Sequence, residues 1–171
     1  MELTNTRAQE DPSWCIPAVI ENVLRHYGEM GWDQRRIIGA WAKWKNGTPS
    51  FDLGSPAQFL PTTELGGRFT FNFQPFSLQK AKHVLAERSV RQLPTIVSCA
   101  IPGLPGCAHM RIVMAFSDEL ITAFDPNDAS HQRWTWSEFG PLLGAGDRDV
   151  HMLLIDPIPT SVHGPCDEST S

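Results

Sequence analysis

Apolar residues at Ile16, Ile20, Val23, Leu24 and Tyr27 recur at the three-to-four spacing of a helix with one buried face. Asp11 or Ser13 is placed to cap its start, and Gly28 to supply the left-handed residue that ends it. A second helix is predicted over 33–45, with Ile37, Ile38, Trp41 and Trp44 on one stripe and Asn46-Gly47 as the stop. Residues 46–67 carry Pro, Gly, Ser and Thr, interrupted by Phe51, Phe59 and Leu60, and read as a long connection with one short helical turn.

The period then changes. Phe69, Phe71 and Phe73 alternate with Thr70 and Asn72, the pattern of a half-buried strand. Ser77 opens a helix that runs through Leu78, Ala81, Val84 and Leu85 to about Arg88. Strands follow over 95–100, 109–116, 120–124 and 150–155, with a short helix over 136–143. Helices first and an antiparallel sheet afterwards imply an α+β domain with segregated layers. The Pro, Ser and Thr rich tail, 157–171, is expected to be disordered, which leaves 1–156 as one domain.

Composition agrees with one domain. The chain has 171 residues, 41% hydrophobic and 19% charged, enough to bury a sizeable core. Its 13 Gly and 14 Pro imply many loops without low complexity. The formal charge is -5 and basic residues are scattered, with only short clusters such as Arg35-Arg36, so no nucleic acid partner is expected. No apolar run approaches the roughly 20 residues of a bilayer span, and Met1 to Arg7 lack the apolar core of a signal peptide. The expectation is a cytoplasmic protein with no membrane association. Four cysteines, Cys15, Cys99, Cys107 and Cys166, form no CxxC pair and suggest no disulfide framework.

One of these thiols is placed for chemistry. In the first turn of a helix the unpaired amides carry partial positive charge, which favours thiolate over thiol, and Cys15 falls there. A nucleophile needs a base held by an orienting group, and His109, opening one strand, with Asp125, closing the next, supply that pair. The hairpin between them turns near Ser117-Asp118. A three-residue loop sets His109 directly across from Asp125, whereas a two-residue loop sets it across from Pro126 and turns Asp125 away. A functional pair therefore requires the odd loop or a bulge. Gln9, six residues before Cys15, is near enough to donate with the Cys15 amide to the oxygen of a tetrahedral intermediate. Asn127 is the second candidate to orient His109.

Gln9-x5-Cys15 at the head of a helix ending Leu24-Arg25-His26-Tyr27-Gly28, His109 on a hydrophobic strand, and a strand ending Asp125-Pro126 together resemble the papain-like cysteine peptidases. The likeness is to the C39-like branch in particular, which includes bacterial peptidases that process double-glycine leader peptides. It spans roughly residues 7 to 155, with its specific motifs at 9–28 and 109–127. The resemblance implies a papain-like α+β fold, N-terminal helices packed on an antiparallel sheet, and cleavage of peptide or isopeptide bonds in a peptide or protein substrate. Cys15 would be nucleophile, His109 base, Asp125 orienter and Gln9 oxyanion donor, without a cofactor. Ile16-Pro17-Ala18 departs from the Gly that many such enzymes carry after the nucleophile, though Pro17 suits a first-turn position.

Other readings start from the same residues. The thiol, histidine and acid set also serves acyl or amide transfer and deamidation, and a silent member would bind peptides in the cleft. Cys99, Cys107 and His109 offer three ligands to zinc, one short of a tetrahedral set. His26, His83, His131, His151 and His163 have no partner in sequence, and Trp134 and Trp136 read as core or cleft lining. Specificity is expected from 46–67 and from the Gly and Pro rich loop 101–106.

Overall fold

A computed structural model describes residues 2–47, 52–101, 108–117, 119–143 and 149–159. The helices are α1 (Cys15–His26), α2 (Gln34–Trp44), α3 (Gly54–Phe59), α4 (Leu78–Val90) and α5 (Trp136–Phe139). The strands are β1 (Phe69–Phe76), β2 (Thr95–Ala100), β3 (Ala108–Phe116), β4 (Ile121–Asp125), β5 (Ser130–Trp134) and β6 (Val150–Pro157). They form one antiparallel sheet in the order β1-β6-β2-β3-β4-β5. The last strand thus enters between β1 and β2, which explains its continuous apolar run from Met152 to Ile155.

Both faces of the sheet are covered. Ile16, Val19, Ile20, Val23 and Leu24 of α1 pack with Trp41, Phe59 and Leu60 against Ile96, Met110, Ile112 and Phe124 on one face. Ala81 and Leu85 of α4 pack with Phe139 of α5 against Val97, Val113, Ala123 and Met152 on the other. The helices are therefore not all on one side: α4 follows β1 in the chain and crosses to the far face. At the end of α1, Gly28 takes a φ of +90°, and Gly28 N and Glu29 N close onto Arg25 O and Leu24 O.

Three expectations need correction. Neither Asp11 nor Ser13 caps α1; the capping position is Trp14, which brings no side-chain bond, because Asp11 Oδ1 is taken up by Ser13 N and Oγ. The 46–67 stretch holds α3 and two short 3-10 turns and buries Phe59, Leu60 and Leu65, since its few apolar residues are core despite their Pro and Gly surroundings. Strand β5 was not anticipated, because Ser130-His131-Gln132-Arg133 is polar: it is the edge of the sheet and alternates only between half-buried and exposed. At the opposite edge, β1 continues through Pro75 to Phe76, a proline position that an edge strand tolerates.

Buried polar pairs tie these layers. Arg88 of α4, nearly fully buried, makes a two-pronged pair with Asp156 of β6 at 2.6 and 3.0 Å and also donates to Thr95 Oγ1 and Pro94 O. Ile158 N donates to Arg68 O just beyond β6, and the expected tail lies outside the described residues from residue 160 onward.

Candidate active site

Cys15 opens α1, half-buried, at the wall of a cleft of about 700 Å³ that also takes in Ser13, Leu53, Ser98, His109, Arg111 and Asn127. Helix α1 begins without a side-chain cap, and Pro17 has no N–H to contribute. Ala18 N donates to Trp14 O at 3.0 Å and closes the first turn. The amides of Cys15 and Ile16 are thus the donors that the helix leaves unused at its start.

His109 sits near the start of β3 with its ring in two relationships. Nε2 donates to Asp125 Oδ1 at 2.7 Å, and the ring shares the wall of the cleft with Cys15, whose thiol acts on it electrostatically. An ionised carboxylate only accepts, so Nε2 carries the proton and Nδ1 is the nitrogen left for the thiol. Burial works against the charged ring, but the hydrogen bonds and charges of Asp125 and Cys15 outweigh it and push the His109 pKa up to about 9.

Asp125, at the end of β4, is almost fully buried and fully engaged. Oδ1 also accepts from Asn127 N at 3.0 Å, and Oδ2 forms an ion pair with Arg111 Nη2 at 3.0 Å. Burial alone would raise its pKa; the bonds from His109 and Asn127 and the charges of His109 and Arg111 hold it below the usual carboxylate range. Asn127 thus meets the carboxylate through its main chain, and it is Asp125 that holds the imidazole.

The register that brings these groups together contains a bulge, one of the two devices the pair requires. Between β3 and β4, Ser117 N donates to Leu120 O, and Phe116 and Ala115 oppose Ile121 and Thr122. Continued unbroken, this register would set Asp125 across from Ile112, facing the core under α1. The register instead shifts between Val113 and Ala115, so that Val113 opposes Ala123 and Ile112 opposes Phe124. One step on, Arg111 faces Asp125, and His109 reaches the carboxylate diagonally from two residues away on the same side of the strand. Of the odd loop and the bulge, the chain uses the bulge, at Met114, and it places arginine, not histidine, directly opposite the acid. Arg111 had passed unnoticed in the sequence; the signal for it was the His109-x-Arg111 spacing that sets both side chains on one face of a strand.

Gln9 is anchored next to Asp125, just beyond the end of β4, through Gln9 N to Pro126 O at 2.7 Å. Its side-chain Nε2 donates to Pro12 O at 3.1 Å, while Oε1 is buried without a partner. Cys99 is paired across from His109 on β2 and is buried, which pushes its thiol up to about 11. Among the described residues no group of three or more His, Cys, Asp or Glu converges as for a metal, and Cys107 lies outside them, as do Cys166, His163 and residues 102–107 of the expected specificity loop. Of the remaining histidines, His151 lines the cleft with its ring 5.5 Å from Phe73, and His131 lies tilted against Phe124 with ring centroids 5.6 Å apart. Trp134 and Trp136 belong to the core on the α4 side rather than to the cleft.

Two solved structures share this architecture. The peptidase domain of Streptococcus ComA, a bifunctional ABC transporter involved in a quorum-sensing pathway, superposes with a TM-score of 0.60 at 18% identity, covering 89% of this chain and 97% of that domain. A double-glycine-motif protease from an AMS/PCAT transporter, solved in complex with the leader peptide, superposes at 0.58 and 13% identity, covering 91% of this chain and 97% of its own. No family model matches the chain, and no curated protein matches it in sequence. The fold is therefore the papain-like fold of C39-like peptidase domains, over nearly their whole length. No helix among the described residues is long and apolar enough to cross a membrane.

Proposed function

We propose that the protein is a thiol-dependent hydrolase that cleaves peptide or isopeptide bonds, with Cys15 as nucleophile, His109 as acid and base, Asp125 as orienter and Gln9 with the Cys15 amide as oxyanion donors. The observation that carries the reading is the position of His109 between Asp125, at 2.7 Å, and Cys15 at an uncapped helix start inside an open cleft.

The chemistry follows from that position. Cys15 Sγ, as thiolate, attacks the carbonyl carbon, and the carbonyl oxygen takes up the electron pair beside the free amides of the first turn. With its pKa pushed up to about 9, His109 is protonated near neutral pH and holds a proton for the departing nitrogen. Nδ1 delivers that proton as the carbon–nitrogen bond breaks, and a thioester on Cys15 remains. The now neutral His109 takes a proton from water, whose oxygen attacks the thioester; the carboxylic product leaves and the thiolate returns. Asp125 stays ionised throughout and keeps the ring from turning.

A peptide substrate is supported by the fold shared with a protease solved with its leader peptide, and by a cleft long enough to run from Pro12 and Ser13 to His151. A free thiol nucleophile suits the reducing conditions of the cytoplasm.

The test is mass spectrometry of the protein mixed with unstructured peptides in single turnover. The reading predicts cleaved peptide and a transient, hydroxylamine-labile acyl adduct on Cys15, both lost in Cys15→Ala. Diversion of the adduct to an added amine in preference to water would replace hydrolysis with acyl transfer. Peptide binding that leaves neither adduct nor product would make the chain a binding protein.

A further inference from the structure

Three side chains on α1 and α2 are polar, wholly buried and unused by the chemistry above: Glu21, Asn22 and Gln34. An unpaired polar group in such a place is strongly destabilising, so what pairs with each is informative. The partners are consistent. Asn22 Oδ1 accepts from Arg7 N at 2.8 Å and its Nδ2 donates to Arg7 O at 2.9 Å. Gln34 Nε2 donates to Ala8 O at 2.9 Å and Gln34 Oε1 accepts from Glu10 N at 2.8 Å. Glu21 Oε2 accepts from Gln34 Nε2 at 2.9 Å and so fixes the amide's orientation, while Oε1 faces Arg7 and Arg25.

All of this is spent on a segment with no helix or strand of its own. Residues 2–14 have no ladder to satisfy their main chain, and those groups must find partners elsewhere. They find them on both sides of one residue. Arg7 and Ala8 before Gln9, and Glu10 after it, are held by side chains of α1 and α2, and Gln9 N itself is held by Pro126 O next to Asp125. Helix α1 also carries Cys15. The segment is thus referenced to the nucleophile through Asn22 and to the acid through Pro126, with the single amide of Gln34 gripping the main chain on either side of Gln9.

We propose that Gln34, assisted by Asn22, is a positioning residue whose function is to hold Gln9 in place as oxyanion donor. The proposal rests on the reading of Gln9 given above. Gln9 leaves one Nε2 hydrogen beyond its bond to Pro12 O, and a donor aimed at a developing oxyanion is effective only within a few tenths of an ångström. A side chain on an irregular segment meets that tolerance only if its main chain is fixed from outside.

A double-mutant cycle on the acylation rate separates this from simple stabilisation. Gln9→Ala is expected to slow acylation roughly 100-fold and Gln34→Met roughly 10- to 100-fold. The double variant is expected to be no slower than Gln9→Ala alone, because Gln34 has nothing left to position. Alkylation of Cys15 by iodoacetamide, which needs no oxyanion donor, should proceed at the parent rate in all three. Asn22→Ala, which frees only the Arg7 end, should give a smaller loss of the same kind, and it serves if Gln34→Met melts below the assay temperature. Losses that multiply in the double variant, alkylation that falls with acylation, or acylation unchanged in Gln34→Met or Asn22→Ala would each overturn the proposal. Acylation unchanged in Gln9→Ala would instead remove the oxyanion reading itself, and the positioning role with it.

Discussion

His109 donates to Asp125 at 2.7 Å although the two residues do not face each other in their hairpin; Arg111 does, and His109 arrives from the diagonal. The contact exists because the register shifts at Met114. Without that shift the carboxylate would be directed into the apolar layer beneath α1.

Deleting Met114 should leave the pair in place, because it removes the residue that has no partner: Ala115 still opposes Thr122, Val113 still opposes Ala123, and Arg111 still faces Asp125. Asp125→Ala takes the orienting group away, and kcat/KM is expected to fall by roughly the 10²–10⁴-fold that loss of an orienting acid produces. Peptide cleavage measured across pH on both variants, with the fold verified by circular dichroism, checks this; a Met114 deletion with the activity and pH profile of Asp125→Ala would show that strand register alone does not set the pair.

Asp125→Asn keeps the size of the side chain and removes its charge. The His109 pKa, held up at about 9 in large part by that carboxylate, should move back toward the 6.5 of a free imidazole. The alkaline limb of activity should move down with it, toward neutral pH. An NMR titration of the His109 ring in parent and variant gives both values directly.

The same shift links stability to pH. His109 binds its proton more tightly in the folded chain than in the unfolded one, so its contribution is fully present below about pH 6.5 and is lost as the pH rises to about 9. Asp125 behaves in the opposite sense: its pKa is lowered by folding, so its contribution is present above the ordinary carboxylate range and is lost as the pH falls through the folded value. Urea midpoints of the parent chain, kept reduced, should decline between pH 6 and 10 on the alkaline side, and His109→Gln should flatten that decline.

Much of this was readable from the sequence, and the parts that were not have physical reasons. Periodicity located α1, α2, α4 and the apolar strands, because each buries one face of regular spacing. It missed β5, a polar strand at the sheet's edge, and in 46–67 it gave one short helical turn where α3 and two 3-10 turns stand, because Phe59 and Leu60 are embedded among turn formers. Residue type and order single out Cys15, His109, Asp125 and Gln9 as candidates, and the structure pairs His109 with Asp125. Arg111 and the Met114 shift could not be picked out in this way, since a bulge is a property of strand pairing and leaves no mark on either strand alone. Glu21, Asn22 and Gln34 hid behind an amphipathic pattern in which polar residues are read as solvent-facing; here they face the N-terminal segment instead.

The central claim is that His109 activates Cys15, and the rate of Cys15 alkylation as a function of pH tests it most directly. In the parent, Cys15 should react with iodoacetamide near neutral pH well above the rate of a free thiol, and His109→Ala should bring it down to that rate, rising only as an ordinary thiol ionises. A parent rate no faster than a free thiol, with a profile that His109→Ala leaves unchanged, would contradict the account.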